Sequence, residues 1–190
     1  MAATLWVLIL FIPPFEFWIL LASSTLVLLL IAVFASRGAI SISASVMLLV
    51  YGIVSAALLY GLFYFGYQAT KPFPIFSQGV NHIYALRLDE PPLVIALLLI
   101  FPIGFGEELY WRGLIQRTIS SKWGNRAGVG LASIAYCLVH IPTFNLPLIV
   151  AALIGGLVWG GLYVLTKDLT PGIISHTLWS IMIFLLLPLH

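Results

Sequence analysis

Residues 101–117 read FPIGFGEELYWRGLIQR, and this stretch places charged side chains inside an apolar chain. Glu107 and Glu108 are adjacent, and Arg112 follows Glu108 by four positions. On an α-helix, Glu108 and Arg112 share a face and can pair, whereas Glu107 points about 100° away around the axis. One charge at the centre of a bilayer costs roughly 2.5–3.5 kcal/mol, so a cluster of charges there requires partners or a water-filled cavity. The stretch is therefore the first candidate for a functional site.

The composition of the whole chain is that of a polytopic membrane protein. Of the 190 residues, 62% are hydrophobic and 7% are charged, and the mean hydropathy is +1.15. A soluble domain with so little charge would expose large apolar patches. The net charge of +2 gives no reason to expect nucleic acid as a partner. We expect a single all-α membrane domain over residues 1–190, with the lipid bilayer as its surroundings.

Hydrophobic runs predict a bundle of about six transmembrane helices, because a helix needs about 20 apolar residues to cross a core about 30 Å thick. The runs place the spans at about 17–34, 42–67, 92–119, 128–140, 146–166 and 173–187. A short N-terminal apolar segment, 5–12, precedes a Pro-Pro pair that favours a break. Glu16 follows that pair, and we expect it to have a structural role at the start of the first helix.

The connections between the spans carry most of the polar residues. Residues 120–127 form the predicted loop between the third and fourth spans. Residues 80–88 predict a short amphipathic helix on the membrane surface, with His82 as a solvated interfacial histidine. Alternation of the spans puts five basic residues on one side: Arg37, Arg117, Lys122, Arg126 and Lys167. The other side keeps Lys71 and Arg87, offset by Asp89 and Glu90, so the positive-inside rule makes the first side cytoplasmic.

Two neighbouring spans carry polar groups at a matching depth. Glu107 lies about twelve residues before the predicted loop and His140 about twelve residues after it, which puts each ~18 Å deep. A carboxylate and an imidazole on antiparallel helices are thus expected at one level. His176 is expected at a shallower level in the last span, with Ser180 one turn beyond it on the same face.

Other interpretations of these residues stay open. Glu108 and Arg112 also fit a purely structural ion pair, and an intramembrane histidine is often a packing residue. The chain could be a non-catalytic membrane scaffold, or a small proton-linked transporter in which Glu107 and the histidines relay protons. We find no convincing internal repeat of the kind that many transporters have.

Three short motifs resemble those of the CAAX prenyl endopeptidase and bacteriocin-processing (CPBP, or ABI) family of intramembrane proteases. EELYWR at 107–112 resembles its EExxxR signature, and YCLVH at 136–140 resembles an aromatic residue four positions before a histidine. HTLWS at 176–180 resembles a histidine followed four positions later by Asn or Asp. The chain departs from the pattern at Tyr136, where phenylalanine is usual, and at Ser180. The resemblance covers about 93–187, which would be the protease-like core.

The resemblance implies an endopeptidase that hydrolyses a peptide bond near the membrane with a glutamate-activated water. In that mechanism Glu107 and His140 would activate the water, and His176 and Ser180 would form the oxyanion site. Glu108 and Arg112 would support them by holding the helices in register. The implied substrate is a peptide or a prenylated protein, although other family members are linked to peptide maturation or bacteriocin immunity.

The resemblance leaves the role of metal as a separate question. No HExxH motif is present, so the zincin pattern is absent. Glu107, His140 and His176 could still supply a zinc site with two histidines and one carboxylate. We expect no cofactor, with a divalent metal such as zinc as the alternative. We also expect a prokaryotic plasma membrane location and an active-site cavity that opens to the cytoplasm.

Overall fold

The computed structural model describes residues 14–36, 40–87 and 90–189, and these are helical nearly throughout, with no strand among them. The predicted apolar segment 5–12 lies outside the described residues, as do Arg37, Asp89 and the side chain of Glu16. Nothing in the structure bears on those predictions.

The first three helices occur where the hydropathy pattern predicts them, but each begins and ends a few residues away from the predicted bounds. Helix α1, Pro14–Ser36, begins on a proline, which the first turn of a helix tolerates. Helix α2, Val46–Thr70, begins four residues later than predicted, because 40–45 is not helical and the Ser43 N–H is hydrogen-bonded to the Thr170 hydroxyl. The amphipathic helix α3, Pro74–Ala85, exists but begins before residue 80. His82 is exposed on it, as predicted.

The third span is broken, which the sequence analysis did not predict. It begins as α4, Pro92–Leu98, and departs from helical geometry at Phe101, with φ −145° and ψ 128°. Phe101 precedes Pro102, and a proline pushes the residue before it out of the α region. The helix resumes as α5, Phe105–Glu108, between wider turns of π type at Leu99–Gly104 and Leu109–Gln116.

The chain reverses within the predicted loop 120–127, but it does so at a single glycine and not through an eight-residue loop. Helix α6, Arg117–Leu138, is interrupted only at Gly124, where φ is 83° and ψ is 164°. Glycine adopts this left-handed conformation without the steric cost that a Cβ brings. A Cβ on Gly128 would strike Ser120, so the two halves of the hairpin are in close contact just beyond the reversal. A 3₁₀ turn, Ile141–Thr143, ends the hairpin.

The last two helices complete the bundle. Helix α7, Leu146–Thr166, has the predicted bounds, and the Asn145 side chain caps it by accepting a hydrogen bond from the Leu148 N–H. Helix α8, Thr170–Ile181, begins three residues earlier than predicted and continues as a π-type turn to Leu186.

An all-α membrane bundle is confirmed. Among the described residues, four helical stretches are long and apolar enough to cross a membrane: Phe17–Ser36, Val46–Thr70, Pro92–Thr143 and Leu146–Thr166. The third reverses at Gly124 and so counts twice. The shorter apolar stretch Thr170–Leu186 is a sixth. The chain is therefore an integral membrane protein.

Small residues let α7 lie close against the hairpin. A Cβ on Gly156 would lie 3.0 Å from the Ser133 side chain, and one on Gly160 would lie 2.8 Å from Oε1 of Gln116. The Gln116 amide donates to the Gly160 carbonyl at 2.9 Å, inside the bundle. Close backbone approach of this kind is how membrane helices gain packing contacts without a hydrophobic driving force.

Asp168 ties the α7–α8 connection to the extended segment before α2. Its Oδ2 accepts hydrogen bonds from the Ser41 and Ser43 hydroxyls, each at 2.7 Å, and Oδ1 accepts from the Thr170 N–H at 2.8 Å. Burial alone would raise the pKa of Asp168, but the Ser43, Thr170 and Ser41 donors outweigh it and lower the pKa to about 2. The ionised carboxylate therefore stabilises the folded protein.

We expect Asp168→Ala to lower Tm at pH 7 by about 4–10 °C, because hydrogen bonds to a charged group contribute about 1.5–3 kcal/mol. The folded-state pKa lies below the unfolded value of about 3.9, so this contribution is present above pH ~4 and is lost as pH falls toward 2. Thermal unfolding in detergent at pH 7 and at pH 3 measures it. Lys122→Ala, on an exposed side chain, is the control. The same Tm difference at both pH values would contradict this account.

Candidate active site

A buried ion pair lies at the centre of the bundle. Nη1 of Arg112 donates to Oε1 of Glu108 at 2.9 Å, and the exposed fractions of these residues are 2% and 0%. The predicted pairing of Glu108 with Arg112 is confirmed. The Arg112 guanidinium also lies over the ring faces of Tyr136, at 5.0 Å, and Trp159, at 5.2 Å. Aromatic faces stabilise a cation most when water is excluded, as it is here.

The same glutamate holds His176 of α8. Nδ1 of His176 lies 3.0 Å from Oε1 of Glu108, and Nε2 lies 3.9 Å from Oε2 of Glu107. The imidazole stacks on the Trp159 indole, with ring centroids 3.9 Å apart and planes 15° apart. The Trp159 N–H in turn donates to the Ser175 hydroxyl at 3.1 Å. The imidazole plane is thus fixed by a carboxylate at its edge and an indole at its face.

Tyr136 connects Glu107 to His140. Its hydroxyl donates to Oε2 of Glu107 at 2.6 Å, and its carbonyl oxygen lies 2.8 Å from Nδ1 of His140. Because a carbonyl can only accept, Nδ1 of His140 carries the proton in this contact, and Nε2 is the acceptor in the neutral ring. Glu107 and His140 are both buried, with exposed fractions of 5% and 4%.

A cavity of about 410 Å³ brings the polar groups together. Glu107, His140, His176 and Ser180 all line it. The rest of the wall is mainly apolar and aromatic, with contributions from Trp18, Phe63, Leu99, Ile103, Trp179 and Phe184. Within the described part of the chain, Glu107 is the only Asp, Glu, Lys or Arg side chain in this wall.

The structure thus collects the four residues that the sequence analysis named as catalytic candidates, and it places the supporting pair directly behind them. One detail of the prediction is wrong, because His176 is not shallower than Glu107. Helix α8 begins at Thr170 rather than at residue 173, and His176 contacts both glutamates. Pro171 lies in the first turn of α8, a position where proline is tolerated.

The zinc alternative finds no matching arrangement. Among the described residues, no three His, Cys, Asp or Glu side chains are grouped in a way that could hold a metal ion. Oε2 of Glu107 is engaged by the Tyr136 hydroxyl and Nδ1 of His176 by Glu108. The atoms left to coordinate a metal are then Oε1 of Glu107 and Nε2 of His140 and His176.

Sequence reasoning missed two residues that shape the site. Tyr136 stood out only as a departure from a motif, and its hydroxyl proves to be the hydrogen-bond donor to Glu107. Trp159 gave no signal beyond its position in a glycine-rich helix, although it contacts both His176 and Arg112. Such contacts cross between helices, so spacing along one helix does not reveal them.

Comparison with known proteins agrees with this geometry. Residues 89–182 match the family of type II CAAX prenyl endopeptidases described as Rce1-like. The chain belongs to the CAAX protease family. No curated protein and no solved structure matches it. At the level of the family, this match assigns the chain to the membrane endopeptidases. The matched region contains all the residues of the buried polar cluster: Glu107, Glu108, Arg112, Tyr136, His140, His176 and Ser180.

Glu108 lies against a glycine of α8, which allows a test of the buried cluster in this CAAX protease family member. A Cβ on Gly172 would lie 2.8 Å from Oε2 of Glu108. The carboxylate is held by Arg112 and His176 and cannot retreat, so we expect Gly172→Ala to cost about 1–3 kcal/mol of stability, seen as a lower Tm.

Gly161→Ala in α7 is the matched control, since a Cβ there meets nothing within 4 Å. Alanine favours a helix over glycine by about 1 kcal/mol, so this variant should keep or raise the Tm. Equal Tm values for the two variants would show that Glu108 is not confined as the structure indicates.

Proposed function

We propose that this CAAX protease family member is an integral membrane endopeptidase that hydrolyses a peptide bond with a water molecule activated by Glu107. The observation that carries the proposal is the convergence of Glu107, His140, His176 and Ser180 on one cavity. A scaffold would not need these groups on a common cavity, and a transporter would place them along a path across the membrane. Their convergence favours hydrolysis over either alternative.

Glu107 is the general base in this proposal. The Tyr136 hydroxyl occupies Oε2 and orients the carboxylate, which leaves Oε1 to take a proton from water. Nε2 of His140 accepts the second hydrogen bond from that water, because its Nδ1 is turned toward the Tyr136 carbonyl. The water oxygen then attacks the scissile carbonyl carbon, and Glu107 passes its proton to the leaving amine. A positioned base of this kind contributes about 10²–10⁴ in rate.

His176 and Ser180 stabilise the tetrahedral oxyanion in this scheme. The carboxylate of Glu108 accepts from Nδ1 of His176 and fixes the ring, and in this scheme Nε2 of the same ring carries the N–H that donates to the oxyanion. Ser180 lies one turn after His176 on α8 and also lines the cavity, so its hydroxyl is a second donor. A serine hydroxyl supplies one O–H, so it can replace the usual amide as a donor.

Glu108 and Arg112 have a positioning role in the proposal. Together they hold α8 against the helix that carries Glu107, so the distance between the base and the oxyanion donors is fixed. No step of this proposal requires a metal ion. We propose a prokaryotic plasma membrane as the location. The substrate is a peptide with an apolar group that can enter the aromatic cavity, of which a prenylated C-terminus is one chemical form.

We expect Glu107→Gln and His140→Ala to lower kcat by at least 10²-fold on a cleavable peptide, because each removes a partner of the attacking water. The measurement is cleavage by purified protein in detergent of a panel of prenylated and unmodified C-terminal peptides, with and without a chelator. Glu90→Gln, a carboxylate outside the cavity wall, is the matched control. Full activity in the Glu107 variant would refute the proposed base, and loss of wild-type activity with the chelator would refute the metal-free scheme.

Tyr136→Phe removes one oxygen atom and tests whether Glu107 needs its hydrogen bond. We expect kcat to fall about 10-fold, because the hydroxyl donates a hydrogen bond to the Glu107 carboxylate. KM should change little, since the apolar part of the wall is retained. A variant with the wild-type kcat would show that the hydroxyl does not act through Glu107.

A further inference from the structure

The cavity opens at one end of the bundle. Its wall is built from the first residues of α1, the surface helix α3, the turn after His140, the first residues of α7 and the last residues of α8. Every one of these segments lies at the same end, because the helices alternate in direction. Asn145 joins two of them by donating to the Gly79 carbonyl at 2.8 Å. We name this the mouth end.

The opposite end is closed and is made of three connections. The N–H of Leu169 donates to the carbonyl of Ser41 at 3.0 Å, and a guanidinium N–H of Arg117 donates to the carbonyl of Ser36 at 3.4 Å. The reversal at Gly124 projects beyond them. We name this the closed end. No residue of these connections among those described lines the cavity.

The basic residues divide unequally between the two ends. The closed-end connections carry five in the sequence: Arg37, Arg117, Lys122, Arg126 and Lys167. The mouth-end connections carry Lys71 and Arg87, and Glu16, Asp89 and Glu90 are in the same parts of the sequence. Excess Lys and Arg in short connections marks the cytoplasmic side of a membrane protein. The closed end is therefore the cytoplasmic end.

The depth of the site agrees with this placement. Glu107 and His140 each lie about 16 residues from Gly124, or ~25 Å along their helices, in a hydrocarbon core about 30 Å thick. His140 directly precedes the 3₁₀ turn that ends the hairpin at the mouth. The polar cluster is nearer to the mouth face than to the basic connections.

We infer that the cavity opens on the extracytoplasmic face and that its substrate is a peptide segment presented from that face. This inference rests on the proposed peptidase function and reverses the cytoplasmic opening expected from the sequence. The wall selects an uncharged, apolar or aromatic segment, because a charged side chain would find no counter-ion there except Glu107 and the histidines. A secreted peptide or an external segment of a membrane protein fits, and a cytoplasmic prenylated protein does not.

Cysteine labelling in intact bacterial cells tests the orientation without any need for activity. In a Cys137→Ala background, Gln78→Cys places a thiol on exposed α3 at the mouth end, and Ser121→Cys places one on the exposed closed end. With a membrane-impermeant maleimide we expect labelling of Gln78→Cys in intact cells and of Ser121→Cys only after permeabilisation. The reverse pattern, or equal labelling of both in intact cells, overturns the inference.

Vesicles of defined orientation separate this inference from the proposed function. Right-side-out vesicles should cleave an added, membrane-impermeant apolar peptide at least 10-fold faster than inverted vesicles of equal protein content. Faster cleavage by inverted vesicles overturns the inference and leaves the peptidase function standing. If the labelling pattern is as expected and neither preparation cleaves any peptide of the panel, the proposed function fails and the substrate inference fails with it.

Discussion

Burial of charge in an apolar bundle is the constraint on which the rest of this structure depends. A carboxylate or a guanidinium in the bilayer core must find partners within the protein. Here Glu108 is the partner of side chains on two helices. Its Oε1 accepts a hydrogen bond from Arg112 on its own span and another from His176 on α8. Removal of any one of the three side chains leaves the others buried and incompletely paired, which costs several kcal/mol. The cluster therefore fixes the register of α8 against the third span, and with it the geometry of the cavity wall.

Much of the fold could be predicted from hydropathy because a spanning helix is defined by length and composition alone. The bounds of α7 follow directly from the apolar run between Asn145 and Lys167. The break at Phe101 and the confinement of the predicted reversal to Gly124 were missed for a different reason. Both are single-residue backbone events inside long helical patterns, and an isolated proline or glycine there is compatible with an unbroken helix or with a turn. Packing against neighbouring helices decides which of the two forms.

Most members of the polar cluster could be identified from the sequence, because polar residues are rare inside a membrane and each one marks a candidate functional site. Counting residues from the basic connection was enough to put Glu107 and His140 at one depth. The position of His176 was misjudged because its helix start was misplaced, and an error of three residues is about 5 Å along a helix. Neither the Tyr136 hydroxyl bond to Glu107 nor the Trp159 stack on His176 could be deduced, since each depends on how helices rotate about their own axes.

The two ends of the bundle are packed differently. In this chain the closed end has the Asp168 network, which joins the segment before α2 to the start of α8, and the glycine contacts that bring α7 against the hairpin. The mouth end instead packs large rings, such as Trp18 against Phe184, which leave gaps between helices. In the orientation inferred above, the basic residues and the tight packing of the closed end lie on the cytoplasmic side, and the cavity that holds the Glu107 carboxylate opens on the other. One asymmetry along the bundle axis would then set membrane orientation and access to the carboxylate together.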